Sequence, residues 1–473
     1  MTSWANVEFA SLDLHDKRLN ERFEQVFSAL NNNPGKPITQ CFQTHNEIAS
    51  CYRFFSNQYL KSSDFFLPHR AATITRIKEQ KIALCINDTS SLDYTTKSSI
   101  EDLGLLEASS RRGLFLHPLL AISPNRIPLG TLHLNFWKRY EVSNRETTCG
   151  WTRIAEPIEK KESFRWLIGY REACKAAEEC SDTQIIYLAD REGDIMELFV
   201  EAQNRKSNNL PTAELIIRSR HNRLLDDPDQ GKKLHEQLHE SPELGKIKYK
   251  LNRKGKKTRE VSQTIKACKV TFHVKRPSKS PLPAVTINAV LADEDNPPKD
   301  EARIVWVLLT TLPIEDFEDA KKVICYYTCR WEIELFFKVL KSGLNVEQRG
   351  LKTASKLELM LVLFIIIAYR VMATCMISRF FPELPCTVLF TDMEWKAAWS
   401  WNNRKKTIPK KPPLLKEIYQ IVTRMGGYMS SKTRSPPGYI VTWRGLTRLQ
   451  DILEGWETHE DYTSFMEVSF DVN

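Results

Sequence analysis

Apolar and polar positions follow helical spacing over about the first 70 residues of the chain. An amphipathic run begins at Asp16 and ends near Asn31, where the sequence Asn-Asn-Asn-Pro-Gly breaks it. A second run carries Ile48, Cys51 and Phe55 at helical intervals. The pattern therefore predicts a helical N-terminal unit over residues 1–70, in which acidic and basic residues balance.

Beyond this unit the pattern changes to short apolar runs. Strands are predicted over 82–87, 114–122 and 127–137, followed by a helix over 157–180 and a strand over 184–189. Three strands in a meander, a helix and a fourth strand are the order in which an RNase H-like fold begins. In that fold, residues that follow neighbouring strand ends lie close together.

The sequence becomes strand-rich after Leu198, and we interpret about 200–303 as a β-rich insertion. A strand over 304–311 then returns to the core, and a long helix is predicted over 318–341. A buried helix follows around 359–372. The strands predicted between Leu198 and the returning strand are 214–219, 246–251, 260–265, 269–274 and 285–291, with a hairpin turn at 252–257.

The order of elements predicts an α/β protein with an RNase H-like (retroviral-integrase-like) core over 71–375. The helical unit 1–70 precedes this core. A Lys- and Pro-rich linker at 402–413 and a helical tail at 414–457 belong to a C-terminal unit, residues 376–473.

The composition is that of a soluble globular protein. Hydrophobic residues make up 42% of the 473 residues and charged residues 27%. The most apolar stretch, Leu359–Tyr369, is interrupted by Arg370, whereas a bilayer-spanning helix needs about 20 residues. The 11 cysteines form no CxxC pair, and no signal-peptide pattern is visible. We expect a cytoplasmic protein with reduced cysteines and no membrane partner.

The net charge of +9 is unevenly distributed. Residues 245–283 contain 13 Lys or Arg and one acid, Glu260, and residues 402–450 contain 11 and one acid, Glu417. A single basic run is commonly a solvated surface. Two long runs in one chain favour a polyanionic partner, because Lys and Arg neutralise phosphates with release of counterions.

The predicted helix over 318–341 carries the most informative cluster of side chains. At 100° per residue, five of them fall within a stripe about 80° wide, and Glu332 points to roughly the opposite side. One explanation is a solvated face with ordinary charge pairs. The other is a metal-binding glutamate surrounded by groups that grip phosphates. The residues of the stripe are Tyr327, Arg330, Glu334, Lys338 and Lys341.

Two aspartates at predicted strand ends favour the second explanation. Asp88 follows the strand 82–87, and Asp190 follows the strand 184–189. Phosphodiester cleavage and strand transfer need an activated oxygen nucleophile and a stabilised leaving oxygen, which two Mg²⁺ ions supply. Hard cations prefer oxygen ligands. Each aspartate alone has an ordinary explanation as a cap or turn residue, but together with Glu334 they predict a site for two Mg²⁺ ions, with Mn²⁺ as a substitute.

These residues resemble the bacterial insertion-sequence transposases of the DDE type, in the group that contains the transposon-five transposase. The family motif Tyr-x2-Arg-x3-Glu-x6-Lys is matched by Tyr327, Arg330, Glu334 and Lys341. Further similar segments are Asn87-Asp-Thr-Ser-Ser-Leu and Ala189-Asp-Arg-Glu-Gly-Asp around the two aspartates, and Arg424-Met-Gly-Gly-Tyr-Met and Trp443-Arg-Gly-Leu in the dimerising tail.

The resemblance implies a cut-and-paste DNA transposase of the bacterial cytoplasm, associated with the nucleoid when it binds DNA. In this family, metal-activated water nicks one strand at the transposon end, and the freed 3′-hydroxyl attacks the other strand to form a hairpin. The hairpin is reopened, and the liberated ends attack target DNA. The partners implied are double-stranded inverted repeats, target DNA and a second copy of the chain, since the family acts as a homodimer.

The resemblance also implies roles for individual side chains. Trp306 is the candidate ring on which a flipped-out base stacks, although an ordinary strand-core tryptophan is the alternative. Arg218 is a candidate phosphate contact, together with Tyr327, Arg330, Lys338 and Lys341. The family recognises transposon ends through its N-terminal unit. The remaining candidate DNA contacts are Arg18, Arg22 and Arg53 in that unit, and Lys254, Lys256 and Lys257 in the basic turn of the insertion.

Other functions remain open on the sequence. His235-Glu-Gln-Leu-His239 matches the HExxH pattern of zinc metalloproteases, but the basic strands that follow supply no obvious third ligand. A second alternative is a DNA-binding relative or regulator that keeps the fold without cutting. A third is a structure-specific nuclease on the same fold, which would not join a cleaved 3′ end to a second DNA.

Overall fold

A computed structural model describes residues 3–33, 35–106, 110–139, 156–226, 231–251, 258–272, 282–403, 407–429 and 436–470. The strands are β1 Ile82–Asn87, β2 Ser90–Asp93, β3 Gly104–Leu105, β4 Arg112–Ile122, β5 Pro128–Trp137, β6 Gln184–Ala189, β7 Glu214–Arg218, β8 Glu243–Leu251, β9 Arg259–Phe272, β10 Val285–Glu294 and β11 Val305–Thr310. The helices are α1 Ser3–Glu8, α2 Lys17–Asn32, α3 His45–Phe55, α4 Ser62–Lys78, α5 Phe164–Glu179, α6 Met196–Ser207, α7 Leu234–Glu240, α8 Phe317–Thr328, α9 Glu332–Lys338, α10 Ala354–Phe380, α11 Asp392–Asn403, α12 Leu415–Met425 and α13 Tyr439–Phe470.

These strands form one mixed sheet in the order β2-β4-β1-β6-β7-β11-β10-β9-β8, and β3 and β5 also pair with β4. The pairs β1–β6 and β6–β7 are parallel, and the remaining strand pairs are antiparallel. The meander β1-β4-β5, the helix α5 and the neighbouring strand β6 agree with the expected RNase H-like order. The N-terminal segment is helical, as predicted.

Helices cover both faces of this sheet. Along β1, Leu84 and Ile86 pack into one hydrophobic cluster, whereas Ala83 and Cys85 pack into the other, as the alternation of side chains along a strand requires. The first cluster includes α9 and α10, and the second includes α5 and α6. The sheet is therefore buried on both sides at β1, which fixes the register of β1 and of the residues that follow it.

The apolar helix α10 is 27 residues long, and by length and composition it could cross a membrane. Its most apolar 18-residue window is 94% buried inside the protein. Arg370 within it contacts Glu394 at 3.1 Å and Asn31 at 3.1 Å. These contacts agree with the prediction of a buried core helix, which extends at both ends beyond the predicted range.

The structure of the region interpreted as a β-rich insertion differs from the prediction in two details. Residues Met196–Ser207 form the helix α6, which the strand-rich interpretation missed. The two short strands predicted at 260–265 and 269–274 are the single strand β9. Because β7 pairs with β6, it belongs to the core of the sheet, and β11, β10, β9 and β8 extend the same sheet from there.

The prediction of a single long helix over 318–341 is wrong. It is divided into α8, a 3₁₀ turn at Cys329–Trp331, α9 and a π-helical turn at Val339–Gly343. The Thr328 hydroxyl donates to the Cys325 carbonyl at 2.7 Å and accepts from Arg126 at 2.9 Å. Such a side-chain bond competes with the regular helical hydrogen bonds. The C-terminal unit likewise contains the unpredicted helix α11 and two helices in place of one tail.

Candidate active site

The sheet brings the two predicted aspartates to the same edge. In the parallel pair β1–β6, Ile86 lies opposite Leu188, and the same register continued by two residues sets Asp88 level with Asp190. Adjacent strands lie about 4.8 Å apart. On the other side of β1, Asp88 falls opposite Pro118 of β4, between the paired segments β1 and β2. Proline has no N–H to donate, which explains why the strand is interrupted at Asp88.

The glutamate of the motif is joined to the first aspartate by an arginine. One nitrogen of Arg330 (Nη1) lies 2.8 Å from Asp88 Oδ2, and the other (Nη2) lies 3.1 Å from Glu334 Oε1. The side chains of Arg330 and Asp88 are 14% and 18% exposed, and that of Glu334 is 44% exposed. The guanidinium therefore links a strand end to α9 over a separation of more than 240 residues in sequence.

The charges of the two other carboxylates act on Asp88. Burial raises the pKa of Asp88 to about 6, and the negative charges of Asp190 and Glu334 contribute to the rise, whereas Arg330 opposes it. A cation near a carboxyl group with a raised pKa lowers that pKa, because the cation stabilises the charged form of the group. Arg330 supplies one such cation.

Carboxylates at this edge provide the hard oxygen donors that Mg²⁺ and Mn²⁺ prefer. Within the described ranges, no group of three or more His, Cys, Asp or Glu side chains is already gathered into a metal cluster. Asp88 and Glu334 are instead arranged around the guanidinium of Arg330. The donor set thus fits a divalent ion in kind, and a shared site requires that Arg330 release these two oxygens.

Aromatic and basic side chains lie next to the carboxylates. Trp306 and Tyr327 form an edge-to-face pair with ring centroids 5.4 Å apart. Burial raises the pKa of Tyr327, whereas Arg330 and Arg218 oppose the rise. Burial lowers the pKa of Arg218, and the nearby Arg191 and Arg330 contribute. The acidic edge is therefore adjoined by the guanidinium groups of Arg191, Arg218 and Arg330. The phenol of Tyr327 and the half-buried indole of Trp306 lie beside them.

The two lysines of the predicted stripe lie in different surroundings. Lys341 Nζ is 3.6 Å from Glu347 Oε1, and Glu347 also accepts the backbone N–H of Asp93 at 2.9 Å. Lys338 is exposed and lines a cavity of 420 Å³ with Glu332 and Tyr439. Lys338 therefore shares this cavity with Glu332, the residue predicted to point away from the stripe.

The arginines proposed for the N-terminal unit share one cavity. Arg18, Arg22 and Arg53 line a space of 470 Å³ between α2 and α3, together with Asn57. Arg53 donates to Ser50 at 2.7 Å. The three lysines of the basic turn, Lys254, Lys256 and Lys257, lie outside the described residues.

Two supporting residues near the aspartates were missed by sequence reasoning. Asp194 is buried and accepts the backbone N–H groups of Arg220 at 2.7 Å and His221 at 3.1 Å. Its other oxygen contacts Arg223 at 2.5 Å. Arg165 on α5 contacts the segments that follow both aspartates. The segment Ala189-Asp-Arg-Glu-Gly-Asp contains Asp194, but nothing in the sequence signals the contacts of Arg165.

The HExxH segment lies on the seven-residue helix α7, where His235, Glu236 and His239 are exposed. No third ligand completes a zinc site among the residues that the structure describes. The cysteines in the described part of the chain are all free, in agreement with the expectation of reduced thiols.

The sheet order and the acidic edge define the class: an RNase H-like α/β protein with a carboxylate site framed by cations. Family models identify it further. The model described as "Transposase DDE domain" matches residues 158–370, "Transposase DNA-binding" matches residues 1–60, and "Transposase Tn5 dimerisation domain" matches residues 366–465. The chain is a DDE transposase of the Tn5 type, a DNA-binding enzyme with a dimerisation domain. Asp190 and Glu334 fall within the DDE match, and Asp88 precedes it.

Proposed function

We propose that the protein is a cut-and-paste transposase that nicks transposon ends, forms hairpins and transfers the ends to target DNA. In this proposal Asp88, Asp190 and Glu334 hold two Mg²⁺ ions, for which Mn²⁺ substitutes. The observation that carries the proposal is the common register of the two aspartates on parallel strands, with Glu334 linked to Asp88 through Arg330.

The bound ions activate the attacking oxygen and stabilise the leaving oxygen of the phosphodiester. Asp88 binds them in its charged form, which is the dominant form above a pH of about 6. Arg330, on leaving Asp88 and Glu334, offers its planar pair of N–H groups to a phosphate, a geometry that guanidinium groups favour. Arg218 and Lys341 extend the same positive surface along the DNA backbone.

Trp306 is the proposed stacking platform for a base that leaves the duplex next to the cleavage site. Its ring rests edge-on against Tyr327, which is nearly buried, so the indole is held by a fixed support. Extrusion of a base costs a few kcal/mol, and stacking on an aromatic ring recovers about 1–3 kcal/mol. Tyr327 then serves both as this support and as a neighbour of Arg330.

We further propose that the substrates are double-stranded inverted repeats and target DNA in the bacterial cytoplasm, and that two copies of the chain pair the two ends. Arg18, Arg22 and Arg53 contact the end DNA from their shared cavity. Lys254, Lys256 and Lys257 contribute a second basic contact.

The decisive experiment incubates the protein with Mg²⁺ and DNA that carries the element's own ends. Hairpin-capped fragments and joining of the 3′ ends to a second DNA are expected, and Asp88→Asn, Asp190→Asn and Glu334→Gln abolish both while DNA binding persists. Cleavage without joining would indicate a structure-specific nuclease instead. Binding without cleavage would indicate a regulator in which Arg330 permanently neutralises the carboxylates.

A further inference from the structure

Arg165 lies between the two segments that carry the proposed catalytic aspartates. It belongs to α5, which packs on the face of the sheet below β1 and β6. Its Nε donates to the Thr89 hydroxyl at 3.1 Å, and its Nη2 contacts Glu192 Oε2 at 2.7 Å. Thr89 directly follows Asp88, and Glu192 is two residues beyond Asp190. One guanidinium therefore spans both strand ends.

Each of these partners is in turn bonded to its aspartate. The backbone N–H of Thr89 donates to Asp88 Oδ1 at 2.7 Å, and the backbone N–H of Glu192 donates to Asp190 Oδ1 at 2.8 Å. Arg165 is thus connected to both carboxylates through one residue on each side, Thr89 and Glu192, whose side chains contact Arg165 and whose backbone N–H groups contact the aspartates. The two oxygens that it fixes belong to the two residues proposed to share metal ions.

The surroundings of Arg165 restrict its movement. Its side chain is only 11% exposed, and its guanidinium lies 5.2 Å from the ring of Trp137 and 5.6 Å from that of Trp166. The Thr89 hydroxyl also bonds to Nδ1 of the buried His117 at 2.8 Å. Arg165 and His117 therefore hold the Thr89 hydroxyl from two sides.

We propose that Arg165 is a positioning residue that fixes the spacing of Asp88 and Asp190 and thereby tunes the affinity of the site for divalent cations. This inference rests on the proposed function. Partners that orient metal ligands without touching the metal commonly change metal affinity or activity by about 10- to 100-fold when they are removed. Arg165 orients two ligands at once, through their neighbours in the chain.

The same helix offers a matched control. Arg171 pairs with Glu201 through Nε at 2.9 Å and Nη2 at 2.8 Å, and its guanidinium also lies over an aromatic ring, that of Phe164. It contacts neither segment that carries an aspartate. Arg171→Met removes an ion pair from the same helix at an arginine that is 44% exposed, and a general effect of losing a charged pair from α5 appears in both variants.

The test compares Arg165→Met, Arg165→Lys, Glu192→Gln and Arg171→Met in the full-length protein bound to its end DNA. Mn²⁺ is titrated and its free concentration is followed by electron paramagnetic resonance, with Asp88→Asn as the background. We expect Mn²⁺ affinity to fall about tenfold and nicking by about 10- to 100-fold in Arg165→Met. Arg165→Lys stays impaired, because one ammonium group cannot replace the two-sided contact, and Arg171→Met behaves as wild type.

Glu192→Gln guards against a folding defect, since its side chain is 55% exposed and the backbone bond to Asp190 remains. It is expected to weaken Mn²⁺ binding in the same direction as Arg165→Met, at unchanged DNA affinity. Equal behaviour of the Arg165, Glu192 and Arg171 variants, or full activity in Arg165→Lys, overturns the positioning role. A wild-type protein that neither nicks DNA nor binds more Mn²⁺ than Asp88→Asn overturns the proposed function itself.

Discussion

Glu332 and Glu334 lie two residues apart on α9, and their surroundings are opposite. Glu332 is 3% exposed and accepts hydrogen bonds from Arg126 at 3.1 Å and from the hydroxyl of Tyr439 at 2.7 Å. The Glu334 side chain is 44% exposed and contacts Arg330 at 3.1 Å. Replacement of each glutamate by glutamine should therefore separate folding stability from chemistry.

The expected losses of folding stability and of nicking rate follow from these contacts. Breaking a buried ion pair costs about 3–5 kcal/mol, but Arg126 is 37% exposed and regains water, so we expect about 2–3 kcal/mol for Glu332→Gln. The exposed pair of Glu334 contributes at most about 1 kcal/mol to stability. Its proposed role as a metal ligand predicts a larger effect, because a loss of about 4 kcal/mol from the transition state lowers the nicking rate about a thousandfold.

Both quantities are measurable on the same preparations. Urea unfolding gives the free energy of unfolding, and single-turnover nicking with Mg²⁺, normalised to the folded fraction, gives the rate. Glu332→Gln should lose stability and keep its rate, and Glu334→Gln should show the reverse. Wild-type nicking by Glu334→Gln, or an equal loss of rate in both variants, refutes the assignment of the two faces of α9.

Three further predictions concern other parts of the chain. Burial opposes ionisation of Glu8, but His69 and Arg76 outweigh this effect and lower the pKa of Glu8 to about 2. The charged carboxylate therefore contributes about 3 kcal/mol to the free energy of unfolding above a pH of about 4.5. This contribution is lost as the pH falls toward 2. In Glu8→Gln, acid unfolding should lose this part of its pH dependence. Trp306→Ala should slow hairpin formation about 10- to 100-fold relative to the first nick, measured on end-labelled DNA, whereas Trp306→Phe keeps most of the rate. His235→Ala should leave nicking unchanged and zinc content negligible, as elemental analysis would establish.

For each of these three predictions, one result would contradict it. An unchanged acid transition in Glu8→Gln contradicts the electrostatic account of its buried contacts. Equal loss of nicking and hairpin formation in Trp306→Ala indicates a packing role rather than base stacking. A stoichiometric zinc ion that disappears in His235→Ala would revive the metalloprotease alternative.

The sequence by itself determined the arrangement of the core and the positions of the acidic residues. Apolar runs of strand length end directly before Asp88 and Asp190, and the predicted RNase H-like order of elements brings neighbouring strand ends together. The spacing from Tyr327 to Lys341 likewise predicted that Arg330 and Glu334 lie together, since a separation of four residues is close to one helical turn.

Tertiary contacts decided what local periodicity does not encode. The bond from Arg126 to Thr328 accompanies the break between α8 and α9, which helical periodicity alone did not predict. The link between Asp88 and Glu334 through Arg330 likewise joins residues more than 200 positions apart. A helical or strand pattern specifies which face a residue occupies on its own element. Which residue it meets across a sheet edge depends on how distant elements pack.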